Sequence, residues 1–331
     1  MGPGHLLLVA LAGLLDARFG DPPWRLHPVR LIGDLSNLSE RLLFALGARG
    51  RGGGLLHWLL VVGGALVGWG LVHLALAGLG RLDTRLAGPG AVLAWCWDLA
   101  LAYSLLCTRD LLDHGQQVLA ALPDLPAARA RLQRLVGRDT DGLGRGGIVR
   151  ASIESLAENL TDGVLTPLWA LALGGLPGLV LVKAASTLDS MVGYRTPRYL
   201  AFGWASARAD DLIHWLPARL SVPLIALAAA LTGGHPRDAL VTAWREHGRL
   251  PSPNSGWSEA ACAGALRVRL LGPIRRRGQL VNSDYLGAPD WPADLEASDL
   301  RQALRLIAVA AAIALMLALL LAAGMATLIA G

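Results

Sequence analysis

Residues 303–330 read ALRLIAVAAAIALMLALLLAAGMATLIA, an almost unbroken run of Ala, Leu, Ile, Val and Met entered past Arg301 and Arg305. About 20 predominantly apolar residues suffice for a helix to cross the hydrocarbon core of a bilayer. This stretch therefore predicts a transmembrane helix. Two others qualify: Leu55–Leu79, with His57 and His73 near its ends, and Ala91–Cys107, with Trp95 and Trp97 near one end. Three runs are weaker. Leu6–Leu15 is short and has no basic leader before it, so it does not read as a cleaved signal peptide. Leu165–Val182 is broken by Gly174, Gly175 and Pro177, and Leu216–Leu231 by Pro217 and Pro223. Sequence leaves open whether these two span, re-enter or lie at the interface. The expected fold is all-α: a polytopic integral membrane protein of about 4–6 transmembrane or re-entrant helices. It forms a single membrane-embedded domain over 1–331, with the polar loops building the site.

Composition supports this reading. Of 331 residues, 53% are hydrophobic and 17% charged, and the mean hydropathy is +0.46. Soluble domains carry about 25% charged residues. Cys96, Cys107 and Cys262 show no CxxC spacing, which excludes a zinc ribbon and a disulfide scaffold. The net charge of +5 is almost wholly arginine, because Lys183 is the only lysine. A P-loop requires Gly-Lys-Ser/Thr, and Lys183 sits in Leu-Val-Lys-Ala-Ala, so any nucleotide is bound in another way. The arginines are dispersed among carboxylates rather than gathered in a stripe, which argues against nucleic acid as a partner. No internal repeat is evident, so an inverted-repeat transporter is not suggested.

Polar segments Asp16–Gly54, Thr108–Asp162, Lys183–Trp215 and Thr232–Gln302 separate the apolar runs. The first, second and fourth carry arginine excesses near membrane ends, which places them on the cytoplasmic face. Within the second, Glu154, Glu158 and Asp162 recur every four residues along one helix face. At 1.5 Å per residue the outer two stand about 12 Å apart, too far for one ion. A neighbouring pair suits Mg²⁺, which takes one or two carboxylates plus substrate phosphates. The bland alternative is a solvated face on which Arg150 pairs with Glu154. The third segment holds Asp189, Arg195, Arg198, Tyr199, Arg208, Asp210 and Asp211. Its guanidinium groups suit planar, bidentate contact with phosphate or carboxylate, and its carboxylates a cation. A plain Arg–Asp lattice beside the membrane accounts for them equally. In the fourth, His247 precedes the stiff Pro251-Ser252-Pro253-Asn254-Ser255-Gly256-Trp257 turn, and His247, Asn254 and Glu259 are candidate ligand contacts. Asp16, Gly20-Asp21-Pro22-Pro23 and His27-Pro28-Val29-Arg30 form a further polar block, with His27 and Arg30 as candidate site residues. Asp98, inside an expected span, costs about 2.5–3.5 kcal/mol to insert unless it is paired.

Taken together and in order, these blocks resemble the CobD/CbiB family of cobalamin biosynthesis, the adenosylcobinamide-phosphate synthases. The resemblance rests on Gly137-Arg138-Asp139-Thr140, Glu154-Ser155-x-x-Glu158-Asn159-x-x-Asp162-Gly163 and Thr187-Leu188-Asp189-Ser190-Met191-Val192-Gly193-Tyr194-Arg195. It continues through Arg198-Tyr199-x-x-Phe202-Gly203-Trp204-Ala205-x-Ala207-Arg208-x-Asp210-Asp211 and the Pro-Ser-Pro-Asn turn. Ser186 and His214 stand where that family commonly carries Asn. The resemblance implies a ligase that uses ATP and Mg²⁺ to join (R)-1-aminopropan-2-ol, or its O-phosphate, to the free propionate of adenosylcobyric acid. It implies Glu154, Glu158, Asp162 and Asp189 for the metal, and Arg138, Arg195 and Arg208 for phosphate oxygens. Asp210, Asp211 or His247 would orient or deprotonate the amine. His27, Arg30, Asn159, Tyr199, Asn254 and Trp257 would meet substrate, Trp257 by packing on the corrinoid. The implied setting is the inner cell membrane, multi-pass, with the site on the cytoplasmic side. A homo-oligomer, or association with other corrinoid-assembly enzymes, is compatible with it. Two rival readings are an AmpE-like membrane regulator without ligase activity and a transporter.

Overall fold

The computed structural model describes residues 3–22, 24–79 and 87–330, so Pro23 of the N-terminal polar block lies outside the described residues. In chain order the helices are α1 (Pro3–Phe19), α2 (Pro28–Ala45), α3 (Arg51–Ala77), α4 (Ala87–Leu105), α5 (Thr108–Ala121), α6 (Leu125–Leu132) and α7 (Arg145–Asn159). After a π-helical segment, Leu160–Leu165, come α8 (Thr166–Val192), α9 (Trp204–Ile213), α10 (Trp215–Thr232), α11 (Pro236–Glu246) and α12 (Ser255–Leu266). Four short strands follow: β1 (Leu270–Leu271), β2 (Ile274–Arg276), β3 (Gln279–Asn282) and β4 (Tyr285–Leu286). The last helix is α13 (Ala297–Ala330). The strands form two antiparallel ribbons, β1–β4 and β2–β3, the second irregular between Ile274 and Arg275.

Among the described residues, five helical stretches are long and apolar enough to cross a membrane: Arg51–Ala77, Gly88–Ala121, Arg145–Val192, Trp204–Thr232 and Ala297–Met325. The two runs left open by sequence, Leu165–Val182 and Leu216–Leu231, thus belong to longer helices that meet this condition. α1, at 17 residues, is shorter. The Arg145–Val192 stretch is not one straight rod. Its ladder widens over Leu160–Leu165, and at Gly175 the backbone adopts φ 63°, ψ −160° just before Pro177. Only glycine enters that region readily, and proline removes a ladder donor, so the pair supplies a kink.

The chain divides into two compact units, each discontinuous in sequence. Unit one takes the described residues up to Cys107, Thr166–Ile213 and the chain from Leu317 onward. In it α3 packs on α2, α4, α8 and α9, and α1 on α4 and α8. Ile32, Val61, Val62, Ala184 and Leu188 form one buried cluster, and Leu43, Val192 and Phe202 another. Two intramembrane polar groups, Asp98 and His57, are paired. Asp98 accepts from Trp69 Nε1–H at 2.8 Å and meets His73 Nδ1 at 3.1 Å, which offsets its insertion cost. His57, fully buried, lies between the hydroxyls of Ser36 and Ser39 at 3.2 and 3.1 Å.

Unit two comprises Thr108–Leu165 and His214–Met316. Its centre is α12, which packs on α7, α10 and α11. Ala260, Ala261, Ala263 and Ala265 of α12 are fully buried, and such small side chains let helix backbones approach closely. At Gly264 the approach is close: a Cβ there would lie 2.2 Å from the carbonyl oxygen of Asp238 on α11. α5, α6 and β1 pack on α7, the helix that carries Glu154 and Glu158.

Candidate active site

The acidic repeat is graded by depth. On α7 the run Ile148, Val149 and Ala151–Ala157 is buried, so Glu154 sits at 2% exposure while Glu158 is exposed and Asp162 half-buried. Glu154 is not on a solvated face, and Arg150 is not its bonded partner. Arg138 Nη2 lies 2.5 Å from Glu154 Oε2, and the Leu271 N–H donates to Oε1 at 2.7 Å. Arg150 instead donates to the Ala293 carbonyl at 2.8 Å. Asn159 donates to the Ser155 carbonyl at 2.9 Å, within its own helix.

A fourth carboxylate joins this set from α12. Glu259 is 3% exposed. Burial, then the negative charges of Glu158 and Glu154, push its carboxyl well above the ordinary range, with Arg138 opposing them. The sequence offered Glu259 as a ligand contact only, because nothing in its spacing ties it to an acidic face about a hundred residues earlier. His214, buried just ahead of α10, places Nδ1 3.3 Å from Asp162 Oδ1. No group of three His, Cys, Asp or Glu among the described residues is arranged to hold a metal by itself.

The Pro-Ser-Pro-Asn turn works as a helix start. Ser252 Oγ accepts from the N–H groups of Asn254 and Ser255 at 3.2 and 3.3 Å, and Asn254, 5% exposed, is the N-cap of α12. One turn in, the Trp257 ring stacks on His247 with centroids 3.7 Å apart. His247 Nδ1 is 3.0 Å from the Ala243 carbonyl. A carbonyl only accepts, so the neutral ring carries its proton on Nδ1 and Nε2 is the basic nitrogen. Beside Trp257 opens a recess of about 750 Å³ with Trp244, Arg219 and Arg245 in its wall.

The remaining candidates belong to unit one. His27 caps α2, accepting from the Val29 N–H at 3.3 Å and lying 2.6 Å from Asp21, while Arg30 is exposed. Asp189 is in the last turn of α8, where Gly193 is required: a Cβ there would fall 1.9 Å from Asp189 Oδ1. On α9, Arg208 Nη1 is 3.3 Å from Asp211 Oδ2. Arg195 and Asp210 lie within electrostatic reach of Asp211. Ser186 donates to Asp210 at 2.9 Å. The two positions where the resembled family commonly has Asn, Ser186 and His214, therefore each touch one of the candidate aspartates. Tyr199 and Arg198 bind a residue that the sequence gave no reason to choose. Glu40, 7% exposed on α2, accepts from Arg198 Nη2 at 2.6 Å and Tyr199 Oη at 3.1 Å. Burial, then the Glu40 charge, raises the Tyr199 hydroxyl above its ordinary value.

The chain matches the family model described as CobD/Cbib protein over residues 9–307. It is 42% identical over 309 residues to the cobalamin biosynthesis protein CobD of Yersinia enterocolitica, covering 93% of this chain and 94% of that one. Against CobD of Geobacter metallireducens it is 44% identical over 295 residues, covering 88% and 89%. Against the cobalamin biosynthesis protein CbiB of Salmonella typhimurium it is 39% identical over 324 residues, covering 96% and 97%. No solved structure matches it.

Proposed function

The chain belongs to the CobD/CbiB family of cobalamin biosynthesis, and on that premise we propose that it is an ATP-dependent carbon–nitrogen ligase. It joins (R)-1-aminopropan-2-ol, or its O-phosphate, to the free propionate of adenosylcobyric acid and so forms adenosylcobinamide or its phosphate. A carboxylate resists an amine because its leaving group would be oxide. Transfer of the γ-phosphoryl group to the propionate makes an acyl phosphate, from which phosphate leaves when the amine attacks. The charge that develops in such a transfer calls for cationic clamps and a bound metal.

The observation that carries the reading is the acidic end of α7. Glu158 and Asp162 present two carboxylates one turn apart, beside the buried Glu259 and next to Arg138 paired with Glu154. That donor set fits Mg²⁺, which needs only one or two protein carboxylates when phosphates supply the rest. Glu158 and Asp162 would hold it, while Glu154 is engaged by Arg138 and the Leu271 amide. When bound, the metal neutralises phosphate charge. Asp189, in unit one, is proposed for the metal on the family resemblance alone. Arg138 is proposed for phosphate oxygens in unit two, and Arg195 and Arg208 of unit one are proposed for phosphate on the family resemblance alone.

His247 Nε2 has the correct tautomer to accept the proton of the attacking amine, and Asp210 and Asp211 of unit one are proposed as amine contacts on the family resemblance alone. The recess beside Trp257 and Trp244 supports a corrinoid seat. It combines aromatic faces for a macrocycle with Arg219 and Arg245 for its carboxylate edge. Asn254 stands at the N-cap position of the helix that carries Trp257 and is proposed with Asn159 for substrate, while His27, Arg30 and Tyr199 of unit one are proposed for substrate on the family resemblance alone. The arginine-rich ends of the polar segments favour a site on the cytoplasmic side of the inner membrane.

The test is a reconstituted assay with ATP, Mg²⁺, adenosylcobyric acid and either amine. The reading expects ATP-dependent loss of the free propionate, with ADP and phosphate released in step with amide. Corrinoid that stays unchanged with both amines, from protein correctly inserted, removes it.

A further inference from the structure

A second cavity of unit two, about 500 Å³, lies between the loop entering α7 and the ribbon that follows α12. Its volume is within the range of small-molecule sites. Three guanidinium groups line it: Arg138, Arg150 and Arg275. Two of them are fixed by neutral acceptors, Arg150 by the Ala293 carbonyl at 2.8 Å and Arg275 by the Gly278 carbonyl at 3.0 Å. Their charge is therefore not cancelled by those bonds. Two carboxylates share the wall with these three arginines: Asp139, near Arg275 and occupied with the N–H groups of Arg277 and Gly278 at 2.9 and 2.7 Å, and Asp294, whose Oδ1 lies against Gly146 in the first turn of α7.

The floor is made by Gly142, Leu143, Gly144 and Gly147, from a segment that runs directly into α7. Gly144 is the N-cap and supplies no side-chain cap, so the first N–H groups of the helix depend on acceptors from elsewhere. Neither Gly142 nor Gly144 has the positive φ that would demand glycine, and a Cβ on either would meet no protein atom within 4 Å. Fold and packing do not explain these two glycines. Close approach of a ligand to the backbone does.

We propose that this cavity seats the polyphosphate of a nucleoside triphosphate, clasped by Arg138, Arg150 and Arg275 over the glycine loop at the start of α7. Arginines in a planar fork and uncapped helix amides are the two groups that suit phosphate oxygens. The Tyr285 ring, Pro273 and Ile274 give the cavity a less polar flank for the base. The site needs no P-loop lysine, in keeping with a chain whose only lysine lies elsewhere. The nucleotide's identity as ATP rests on the ligase reading. The cavity's preference for phosphate does not.

The full chain in nanodiscs is titrated separately with ATP, inorganic triphosphate and 1-aminopropan-2-ol phosphate, as wild type, Arg275→Ala, Gly144→Val and Arg150→Met. ATP and triphosphate are expected to compete for the wild type, each variant weakening both by about tenfold or more. Arg275 is exposed and Gly144 faces open space, so those two variants keep the test alive should Arg150→Met misfold. Wild-type protein that binds neither triphosphate, or variants with undiminished ATP affinity, overturn the proposal. So does selective loss of the amino-alcohol phosphate, which would give the cavity to the other phosphorylated substrate. Ligase turnover with an unchanged KM for ATP in the variants removes this site and spares the ligase reading. Loss of ATP binding in the variants of a protein that never consumes adenosylcobyric acid does the reverse.

Discussion

Glu40 in unit one and Glu259 in unit two are equally well buried, at 7% and 3% exposure, yet their surroundings are opposites. Glu40 meets a guanidinium and a phenol at 2.6 and 3.1 Å. Glu259 is surrounded by the charges of Glu158, Glu154 and Asp162, with Arg138 alone in opposition. One carboxylate is satisfied by the fold and ties α2 to the loop before α9. The other is held in an environment that disfavours its charge, which is the condition under which a cation or a proton becomes valuable. Burial alone does not distinguish a structural acid from a working one. The neighbours do.

The largest effect expected from that contrast lies at the edge of the Glu259 cluster. Glu158→Ala should lower ligase turnover about a hundredfold or more, the scale seen when one transition-state electrostatic group is removed. Membrane insertion and the far-ultraviolet spectrum should be unchanged, since Glu158 is exposed. Full turnover in that variant would separate the acidic face from the chemistry.

Next comes the pH dependence of stability. Glu259 has a raised carboxyl in the folded protein, so the folded state binds more protons than the unfolded one above the ordinary Glu value. Its contribution is fully present below about pH 4.5 and is lost as pH rises toward the folded value. Glu259→Gln should flatten that slope, which for one proton cannot exceed about 1.4 kcal/mol per pH unit. At neutral pH the variant should melt higher than wild type in detergent. Parallel melting curves for the two proteins across pH 5–8 would contradict this.

Glu40→Gln should act with the opposite sign at neutral pH, lowering the melting temperature by about 2–4 °C. A rise, as expected for Glu259→Gln, would erase the distinction between the two acids. The smallest effect belongs to Asp139, whose carboxyl is held below its ordinary value by the N–H groups of Gly278 and Arg277. Its contribution exists above the unfolded value and disappears as pH falls through the folded one. Asp139→Asn should chiefly speed hydrogen exchange at residues 277 and 278, and unaltered exchange there would show that the turn holds itself.

The spans were legible because hydropathy is additive along a helix. Ala303–Ala330 and Leu55–Leu79 needed no partner to be recognised. How each span is used was less legible. Only 11% of the apolar window of Arg51–Ala77 is buried inside the protein, against 61% for Arg145–Val192, though the two differ little in hydropathy, 2.1 and 1.8. A bilayer and a protein interior accept the same side chains, so composition does not separate them. The acids of α7 were visible through their four-residue spacing, whereas their partners were not. Arg150 is the nearer arginine in sequence, but the chain folds Arg138 back onto Glu154 and leaves Arg150 for Ala293. Asp98 likewise gave no hint that Trp69 and His73 would meet it. Pairings across long sequence separations depend on packing, which no local pattern records.

The widened turn over Leu160–Leu165 has a consequence for how this protein tolerates change in length. Each residue of an α-helix advances the azimuth by about 100°. Removing one residue there would restore ordinary winding and leave the later side chains of that helix facing nearly as before, whereas the same deletion in an ordinary turn would swing them all by that angle, with hydrophobicity scarcely altered. A deletion at this point would therefore be absorbed, while one in a neighbouring turn would be read by the protein as a rotation, and two chains of nearly identical hydropathy would differ in which way their chemistry faces.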